Sequence, residues 1–203
     1  MTLNMHYSGL HKVISGGQTG ADQGGLIAAW RMGVLTGGTA PDNFKTQVGP
    51  NPLLETFGLR PGGDYNQRTK TNILDSDGTV VVGIDLTSPG SRLTINTTKK
   101  LGKPVLTLDI RDLMEVLPAG NEFDSLALVR QHGVRLFDFI VENRIGILNV
   151  AGNREILEKN NPHNFSGSTP ITAITDYIIC FALDLLQIDD LLIFKNECDE
   201  SRV

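Results

Sequence analysis

The sequence is poor in the residues that cross-link small proteins and bind metal ions. Its 203 residues include only two cysteines, Cys180 and Cys198, and four histidines. Neither cysteine belongs to a disulfide framework or to the Cys/His spacing of a metal site. Cys180 lies in an apolar helical run, which predicts a small buried hydrophobic residue. We therefore expect a reduced environment and no metal ligands from the protein.

Positive charge and long apolar segments are also scarce. The net charge of −5 and the pI near 5.3 give no electrostatic footprint for nucleic acid or for an anionic membrane. The longest apolar run, residues 177–186, contains Asp184 and is too short to span a bilayer. Residues 1–11 lack the basic start and apolar core of a signal peptide. These features predict a cytoplasmic protein that holds any phosphate-bearing ligand by local geometry.

Short apolar runs alternate with helix-like segments along most of the chain. Strands are predicted at residues 10–14, 34–36, 79–83, 105–108 and 145–150, and helices at 23–32, 65–74, around 93–101, 123–132, 134–143 and 169–187. This alternation predicts an α/β fold: a Rossmann-like, doubly wound, mainly parallel sheet with helices on both faces. With 40% hydrophobic residues, the chain can form a single domain over 1–203. Its core is expected at about 10–187, with 188–203 as an appended segment or tail.

Two stretches interrupt this pattern. Residues 42–64 are rich in proline, glycine and asparagine and predict a long irregular loop, which in a compact domain is more often functional than idle. Residues 59–63 within it resemble a phosphate loop but are interpreted as a turn, because no strand and helix flank them. Gly133 is expected to break the helical pattern into two helices.

A glycine-rich turn joins the first predicted strand to the first helix. Glycines at 16, 17 and 20 allow unusual backbone angles and close approach of a ligand, and the helix N-terminus would direct free N–H groups at an anion. Thr19 and Asp22 could cap the helix or contact the ligand. The spacing matches neither the dinucleotide fingerprint nor the P-loop, so an ordinary capped turn remains the alternative. If the turn holds phosphate, a side chain at Gly17 should obstruct it.

Glycine-containing loops follow four of the five predicted strands and should meet at the carboxyl edge of the sheet, where such folds bind ligands. Arg68 and Arg154 are the cations expected to meet phosphate, because a planar guanidinium can donate two parallel hydrogen bonds. Arg68 shares a predicted helix face with Asn72 and Asp75, so we expect Asp75 to orient its guanidinium.

Four carboxylates are the polar candidates for chemistry: Asp22, Asp75, Asp77 and Glu155. They could orient a ribose or pterin, hold a cation, or act as acid or base, and caps and salt bridges are an equally good interpretation. Nucleophilic catalysis has little support, because no histidine adjoins a serine or cysteine in a recognisable elbow. The histidines, of which only His163 is kept open as a site residue, are expected at the surface: His6, His11, His132 and His163.

Several motifs occur in the order found in the molybdenum cofactor carrier family, which the chain resembles from about residue 12 to 155. They are residues 15–22, 36–38, Tyr65 with 67–69, Asn72, 75–79, and 148–152 with Arg154 and Glu155. The resemblance implies a Rossmann-like sheet, related to the lysine-decarboxylase-like, cytokinin-activating proteins, and a phosphate-binding edge. The implied ligand is molybdopterin, the organic part of the molybdenum cofactor, or a nucleotide-like compound.

The loops and the resemblance together define the predicted binding residues. They are Gly16, Gly17, Gln18, Thr19, Gly20, Asp22, Gly37, Gly38, Arg68, Asn72, Asp75, Asp77, Gly90, Ser91, Asn149, Gly152, Arg154 and Glu155. Pro89-Gly90-Ser91 stands where family members usually have Gly-Gly-Thr, and the Pro-Gly-Gly-x-Gly-Thr signature of the related enzymes is absent.

These observations favour a carrier without catalytic residues, as a monomer or homo-oligomer. One alternative is an enzyme that acts on a nucleotide or an ADP-ribose-like compound, with Asp75, Asp77 or Glu155 as acid or base. The other is an interaction protein with a vestigial cleft.

Overall fold

The computed structural model describes residues 9–116, 122–158, 161–165 and 171–200. Its centre is a six-stranded sheet in which every neighbouring pair is parallel. The strands of this sheet are β1 (Lys12–Ser15), β2 (Leu35–Ala40), β5 (Leu59–Pro61), β6 (Gly78–Gly83), β7 (Val105–Asp109) and β8 (Ile147–Gly152). Two small antiparallel hairpins lie outside it, β3 (Lys45–Thr46) with β4 (Gly49–Pro50) and β9 (Leu157–Glu158) with β10 (Asn161–Phe165).

The described residues form six α-helices: α1 (Ala21–Arg31), α2 (Tyr65–Leu74), α3 (Pro89–Lys100), α4 (Arg111–Val116), α5 (Glu122–Glu142) and α6 (Ile171–Glu200), which follows the last strand. Two 3-10 segments, Asp42–Phe44 and Pro52–Phe57, lie between β2 and β5. On one face of the sheet α6 packs against both α1 and α5, and on the other α2 packs against α3. The doubly wound α/β fold predicted from the alternation is confirmed.

The strand order explains where a cleft can form. The order across the sheet is β5-β2-β1-β8-β6-β7. The chain runs outward from β1 in one direction, crosses over to β6 and β7, and returns to place β8 between β1 and β6. The first and last strands of the sheet are therefore neighbours at the point where the winding direction changes. In open α/β sheets the ligand crevice lies outside the carboxyl ends of the strands at such a point.

The prediction of a turn at residues 59–63 was wrong. Leu59–Pro61 is the edge strand β5, parallel to β2 with Gly38 opposite Leu59. Three residues are too few to show strand periodicity, and Pro61, which lacks an N–H, is tolerated because it lies in an edge strand. Helix α2 follows directly, with Asp64 and Gln67 forming a capping box at its start.

The predicted helix break at Gly133 was also wrong, because α5 is continuous. A Cβ atom built on Gly133 would lie 2.4 Å from Cδ1 of Phe181 on α6. The glycine thus lets α5 and α6 approach closely, and this packing outweighs its low helix propensity. A glycine needed for contact between helices cannot be distinguished from a helix breaker in a single sequence.

Helix α6 begins close to the predicted start and continues past residue 187 to Glu200. Over Ile171–Asp189 it is long and apolar enough to cross a membrane by length and composition alone. However, Ile174, Ile178 and Leu183 are buried in the hydrophobic core with residues of α1 and α5. This burial indicates a central helix of the folded domain.

We predict that Gly133→Ala destabilises the protein. In an unhindered helix the exchange would stabilise by about 1 kcal/mol, but here the new methyl group meets Phe181, so a net loss of about 1–3 kcal/mol is expected. Urea unfolding measures the change. In a Phe181→Ala background the same exchange should be neutral or stabilising. A loss of equal size in both backgrounds would contradict the packing explanation.

Candidate functional site

A cleft opens at the carboxyl edge of the sheet between the first turns of α2 and α3. It has a volume of about 190 Å³ and adjoins a second concavity of about 480 Å³. The residues common to both are Pro89, Gly90, Gly152 and Arg154. The smaller part is also lined by Gln18, Asp22, Tyr65, Asn66, Arg68, Thr69, Leu93, Thr94 and Ala151. The structure therefore gathers seven of the predicted binding residues around one opening: Gln18, Asp22, Arg68, Gly90, Gly152 and Arg154 line it, and Ser91 is next to Gly90.

The glycine-rich turn lies beneath this cleft and is itself buried. A Cβ atom at Gly16 would lie 1.5 Å from Nη1 of Arg68, and one at Gly20 would lie 2.3 Å from the backbone oxygen of Asn153. A Cβ at Gly17, where φ is +74°, would lie 2.8 Å from the side chains of Leu54 and Leu59. The turn needs glycine because other parts of the protein approach it. A side chain at Gly17 would meet the core, which corrects the expectation that it would meet a ligand.

The N–H groups of this turn are also largely engaged within the protein. Three of them bind protein acceptors: Gly17 to Ser15 Oγ at 3.3 Å, Gln18 to Asp22 Oδ2 at 3.2 Å, and Gly20 to Thr172 Oγ1 at 3.1 Å. The N–H of Ala21, the first residue of α1, binds Asn153 O at 3.0 Å. An anion would have to displace these acceptors to use the same donors. The geometry does not favour phosphate at residues 16–20.

An ion pair between Asp22 and Arg68 forms the floor of the cleft. Nη1 of Arg68 donates to Oδ2 of Asp22 over 3.1 Å, and the two side chains are 12% and 4% exposed. Burial raises the pKa of the Asp22 carboxyl, although Arg68 and the N–H of Gln18 oppose this effect. Asp22 thus has the role expected of Asp75, and the ion pair joins the start of α1 to α2.

Three buried polar atoms near this floor have no hydrogen-bond partner among the described residues. They are Oε1 of Gln18, Oγ1 of Thr19 and Nε of Arg68. Buried polar groups are nearly always hydrogen-bonded, so each of these atoms requires a partner such as water or a ligand. The side-chain amide of Gln18 is held in position because its Nε2 donates a hydrogen bond to Lys45 O over 2.8 Å.

The mouth of the cleft carries a second cation. Arg154 is exposed, and its Cζ lies 4.9 Å from the centre of the Tyr65 ring, a cation–π arrangement that orients the guanidinium. Opposite it, Gly90 lies in the first turn of α3, and a Cβ built there would meet no atom within 4 Å. The mouth therefore combines the exposed guanidinium of Arg154 with the positive end of the α3 helix dipole.

Asn153 fixes the two loops that form this mouth, and it was not among the predicted site residues. Its Oδ1 accepts from Asp85 N at 2.7 Å, and its Nδ2 donates to Asp85 O at 2.9 Å and to Ser91 Oγ at 3.1 Å. These bonds join the end of β8 to the loop between β6 and α3. An asparagine in a glycine-containing loop was the signal in the sequence, but only the strand order shows which loop it meets.

Two predicted carboxylates lie at the opposite edge of the sheet. Asp75 and Asp77 precede the amino end of β6, and Oδ2 of Asp77 accepts from the N–H groups of Gly146 and Ile147. Helix α2 runs antiparallel to the strands, so its first turn reaches the cleft and its last turn does not. The helix face shared by Arg68 and Asp75 spans the depth of the sheet.

Other predicted residues support the fold outside the cleft. Asn72 binds both backbone groups of Thr39, and Asn149 donates to Thr79 within the sheet. Gly37 and Gly38 lie inside β2, where a Cβ on Gly38 would be 2.2 Å from Ser15 O. The structure does not bring these four residues to the ligand cleft.

Glu155 caps the N-terminus of α6, accepting from the N–H groups of Ile171 at 2.9 Å and Thr172 at 2.6 Å. Because both carboxylate oxygens are engaged there, Glu155 is not free to act as an acid or base in the cleft. The predicted candidate is instead an N-terminal helix cap from a distant part of the chain.

One histidine lies in a different environment from the one predicted. His132 is buried, with Nε2 3.5 Å from Oδ1 of Asp112, so its prediction as a surface residue was wrong. His11 is exposed, whereas His6 and the side chains of His163 and Cys198 lie outside the described residues.

Cys180 is a partly buried free thiol, and burial raises the pKa of this thiol to about 12. The described residues contain no group of three or more His, Cys, Asp or Glu side chains that could hold a metal ion.

Comparison with known proteins identifies the family. Residues 13–163, well over half of the chain, match the circularly permutated YpsA SLOG family. The chain belongs to this family. A solved structure of a "Putative molybdenum carrier protein" from Syntrophus aciditrophicus SB is 29% identical, covers 86% of this chain and 95% of its own, and superposes with a TM-score of 0.66. No curated protein matches the chain significantly. The resemblance deduced from the motifs is thereby confirmed for this cpYpsA-family protein.

We predict that Arg68→Ala destabilises the protein in a pH-dependent manner. Without Arg68 the buried carboxylate of Asp22 loses its counter-charge, so its folded-state pKa rises further and stability falls as the pH increases through that range. At about pH 7 we expect a loss of about 3–5 kcal/mol, and a smaller loss at a mildly acidic pH, because the raised pKa of Asp22 favours uptake of a proton that removes the buried charge.

Chemical denaturation at both pH values tests this prediction. The matched control is the double variant Arg68→Ala with Asp22→Asn, which removes both charges of the ion pair. Once the titration of Asp22 in the parent is allowed for, the stability difference between this variant and the parent should be the same at both pH values. A single-variant loss that does not change with pH would show that Asp22 is not its cause.

Proposed function

We propose that this protein binds a phosphate-bearing small ligand in the cleft and carries it without transforming it, and that this ligand is the molybdenum cofactor. The observation that carries the proposal is a cleft at the switch point of the sheet whose floor and mouth each present an arginine in a protein of net charge −5. The similarity to a protein named as a molybdenum carrier supports the choice of cargo.

The phosphate group is placed at the mouth of the cleft. Arg154 is exposed there, and the first turn of α3 offers backbone donors around Gly90 with open space before them. A helix N-terminus and a guanidinium together form a favourable anion site. The glycine-rich turn is the less favourable place, because it is covered by Arg68 and its donors are engaged.

The residues of the cleft are compatible with the organic part of the cofactor. Oε1 of Gln18 and Nε of Arg68, which have no hydrogen-bond partner among the described residues, could bind polar atoms of a pterin at the floor. Tyr65 and Arg154 offer a planar surface at the mouth. The larger of the two adjoining concavities, with a volume of about 480 Å³, is within the size range of small-molecule sites. The cofactor itself would supply the sulfur ligands that hold molybdenum, so the protein need only bind the pterin and its phosphate.

The proposal also includes the location and the partners of the protein. We place it in the cytoplasm, without nucleic acid or membrane partners, and infer that it can form a homo-oligomer. The net charge of −5 supports the exclusion of nucleic acid.

We predict that Arg154→Ala weakens binding of a phosphate-bearing ligand by about 10- to 150-fold, the value of one charge-assisted hydrogen bond of about 1.5–3 kcal/mol. The melting temperature should stay close to that of the parent, because the side chain is exposed. Calorimetry with molybdopterin or a nucleoside monophosphate measures the affinity. Arg154→Lys should recover part of the loss. Arg130→Ala, a change at an exposed position of α5 outside the cleft lining, provides a control for general charge effects. Unchanged affinity in Arg154→Ala would place the phosphate elsewhere.

The second candidate is an enzyme acting on a nucleotide or an ADP-ribose-like compound. Its predicted acids are poorly placed, since Asp75 and Asp77 lie at the opposite edge and Glu155 caps α6. Asp22 is the carboxylate that lines the smaller concavity, and its raised pKa favours this function.

We therefore predict no turnover when the pure protein is incubated with nucleoside monophosphates and ADP-ribose. The ion pair with Arg68 restrains Asp22, and the described lining residues include no cysteine or lysine nucleophile and no histidine that could activate a hydroxyl group. Chromatography of the products tests this expectation, with Asp22→Asn as the control. Release of free base or ribose phosphate by the parent, abolished in Asp22→Asn, would favour the enzyme.

A further inference from the structure

Three polar side chains line the floor of the cleft, and two of them have a buried atom without a hydrogen-bond partner among the described residues. The N–H of Gln18 and Nη1 of Arg68 both donate to the same oxygen of Asp22, Oδ2. Oε1 of Gln18 accepts no hydrogen bond and Nε of Arg68 donates none among the described residues. All three side chains line the same cleft, and Asp22 and Gln18 are only 3% and 2% exposed. Two acceptor groups and one donor group thus lie close together at a buried site.

The charge at this floor determines which end of a ligand can occupy it. A phosphate beside Asp22 would bring two anions together where water is largely excluded, and the repulsion between them would be strong. A ligand group that donates hydrogen bonds would instead complete the coordination of the carboxylate. Burial raises the pKa of Asp22 even with Arg68 beside it, so its negative charge is not fully compensated by the protein.

We propose that the floor recognises the 2-amino-4-oxopyrimidine edge shared by guanine and pterin rings, with Asp22 as the residue that determines this specificity. This edge carries an exocyclic amino donor, a ring N–H donor and a carbonyl acceptor in sequence. The two donors match the acceptors of Asp22 and Gln18, and the carbonyl matches the free donor of Arg68. The inference rests on the proposed binding function and adds the orientation: the ring lies inward and the phosphate lies at Arg154.

The same floor disfavours adenine. The corresponding edge of adenine has an amino donor beside a ring nitrogen that only accepts, and this nitrogen would face the carboxylate without a proton between them. Hypoxanthine keeps the ring N–H and the carbonyl but lacks the amino group. A site of buried polar groups discriminates strongly against analogues that leave those groups unpaired.

Calorimetry with GMP, IMP and AMP tests the inference on the intact protein, since the three ligands have the same ribose phosphate. We expect GMP to bind about 10- to 150-fold more tightly than AMP, with IMP between them, as the loss of one hydrogen bond to a charged group implies. A further titration with 6-hydroxymethylpterin, which has no phosphate, tests whether the pterin ring alone competes with GMP. If this compound competes with GMP, a pterin is favoured as the natural ligand. If it does not compete, a guanine nucleotide is favoured.

Two variants separate the ring from the phosphate. Asp22→Asn should weaken GMP by about tenfold or more and leave AMP within about threefold. Arg154→Ala should weaken all three nucleotides by a similar factor and preserve their order. Because Asp22→Asn could destabilise the protein, thermal unfolding is measured first, and Gln18→Met is the second variant, expected to reduce the preference for GMP without removing a charge.

Each outcome has a distinct meaning. Equal affinities for GMP, IMP and AMP in the parent would overturn the specificity and leave phosphate binding intact. A preference for GMP that survives in both Asp22→Asn and Gln18→Met would overturn the assignment to this floor. If molybdopterin binds the parent but neither the nucleotides nor the pterin does, this inference fails and the proposed function stands, whereas the proposed function fails as well if none of these compounds binds.

Discussion

The ion pair between Asp22 and Arg68 is the interaction around which the site is arranged. It crosses from the first turn of α1 to the first turn of α2 and places the guanidinium directly over Gly16. A buried pair of this kind adds little net stability, because desolvation of both charges opposes their attraction, but its loss is costly. It therefore acts mainly as a constraint on geometry. It closes the glycine-rich turn to ligands and gives the cleft an acidic and a basic group at its floor.

The position of β8 in the sheet supplies the other half of the site. Because this strand lies between β1 and β6, the loop that follows it contacts both the glycine-rich turn and the start of α3. Three successive residues there have different roles: Asn153 joins the loops, Arg154 reaches the mouth, and Glu155 caps α6. The cleft is thus coupled to the long core helix through one short segment, and a ligand at the mouth would contact the middle residue of the three.

The distribution of charge bears on our proposal that an acidic protein binds a phosphate-bearing ligand. A net charge of −5 gives no general attraction for anions, and binding must depend on a few oriented donors. Such a site is selective because desolvated groups are useful only to a ligand that satisfies all of them. The same principle underlies our proposal that the floor and the mouth bind different parts of one molecule.

The sequence by itself determined the layers of the fold and the edge at which the cleft lies. The alternation of strands and helices, the Asp64 cap and the glycine-containing loops are local features, and local periodicity and capping record them directly. It also indicated Arg68, Arg154 and Asp22, because glycine-rich turns and cations near strand ends are local signals as well. Periodicity did not reveal the edge strand β5, which is too short, or the packing role of Gly133.

Only the tertiary structure decided which residues meet. Asp22 and not Asp75 pairs with Arg68, because α2 crosses the sheet and carries Asp75 to its far edge. Glu155 is engaged by a helix that begins at Ile171, and the glycine-rich turn is covered by side chains from three other elements. These contacts join residues distant in sequence, and they depend on the strand order. A parallel sheet permits several strand orders for the same local pattern, so the choice among them is made by packing of the whole core.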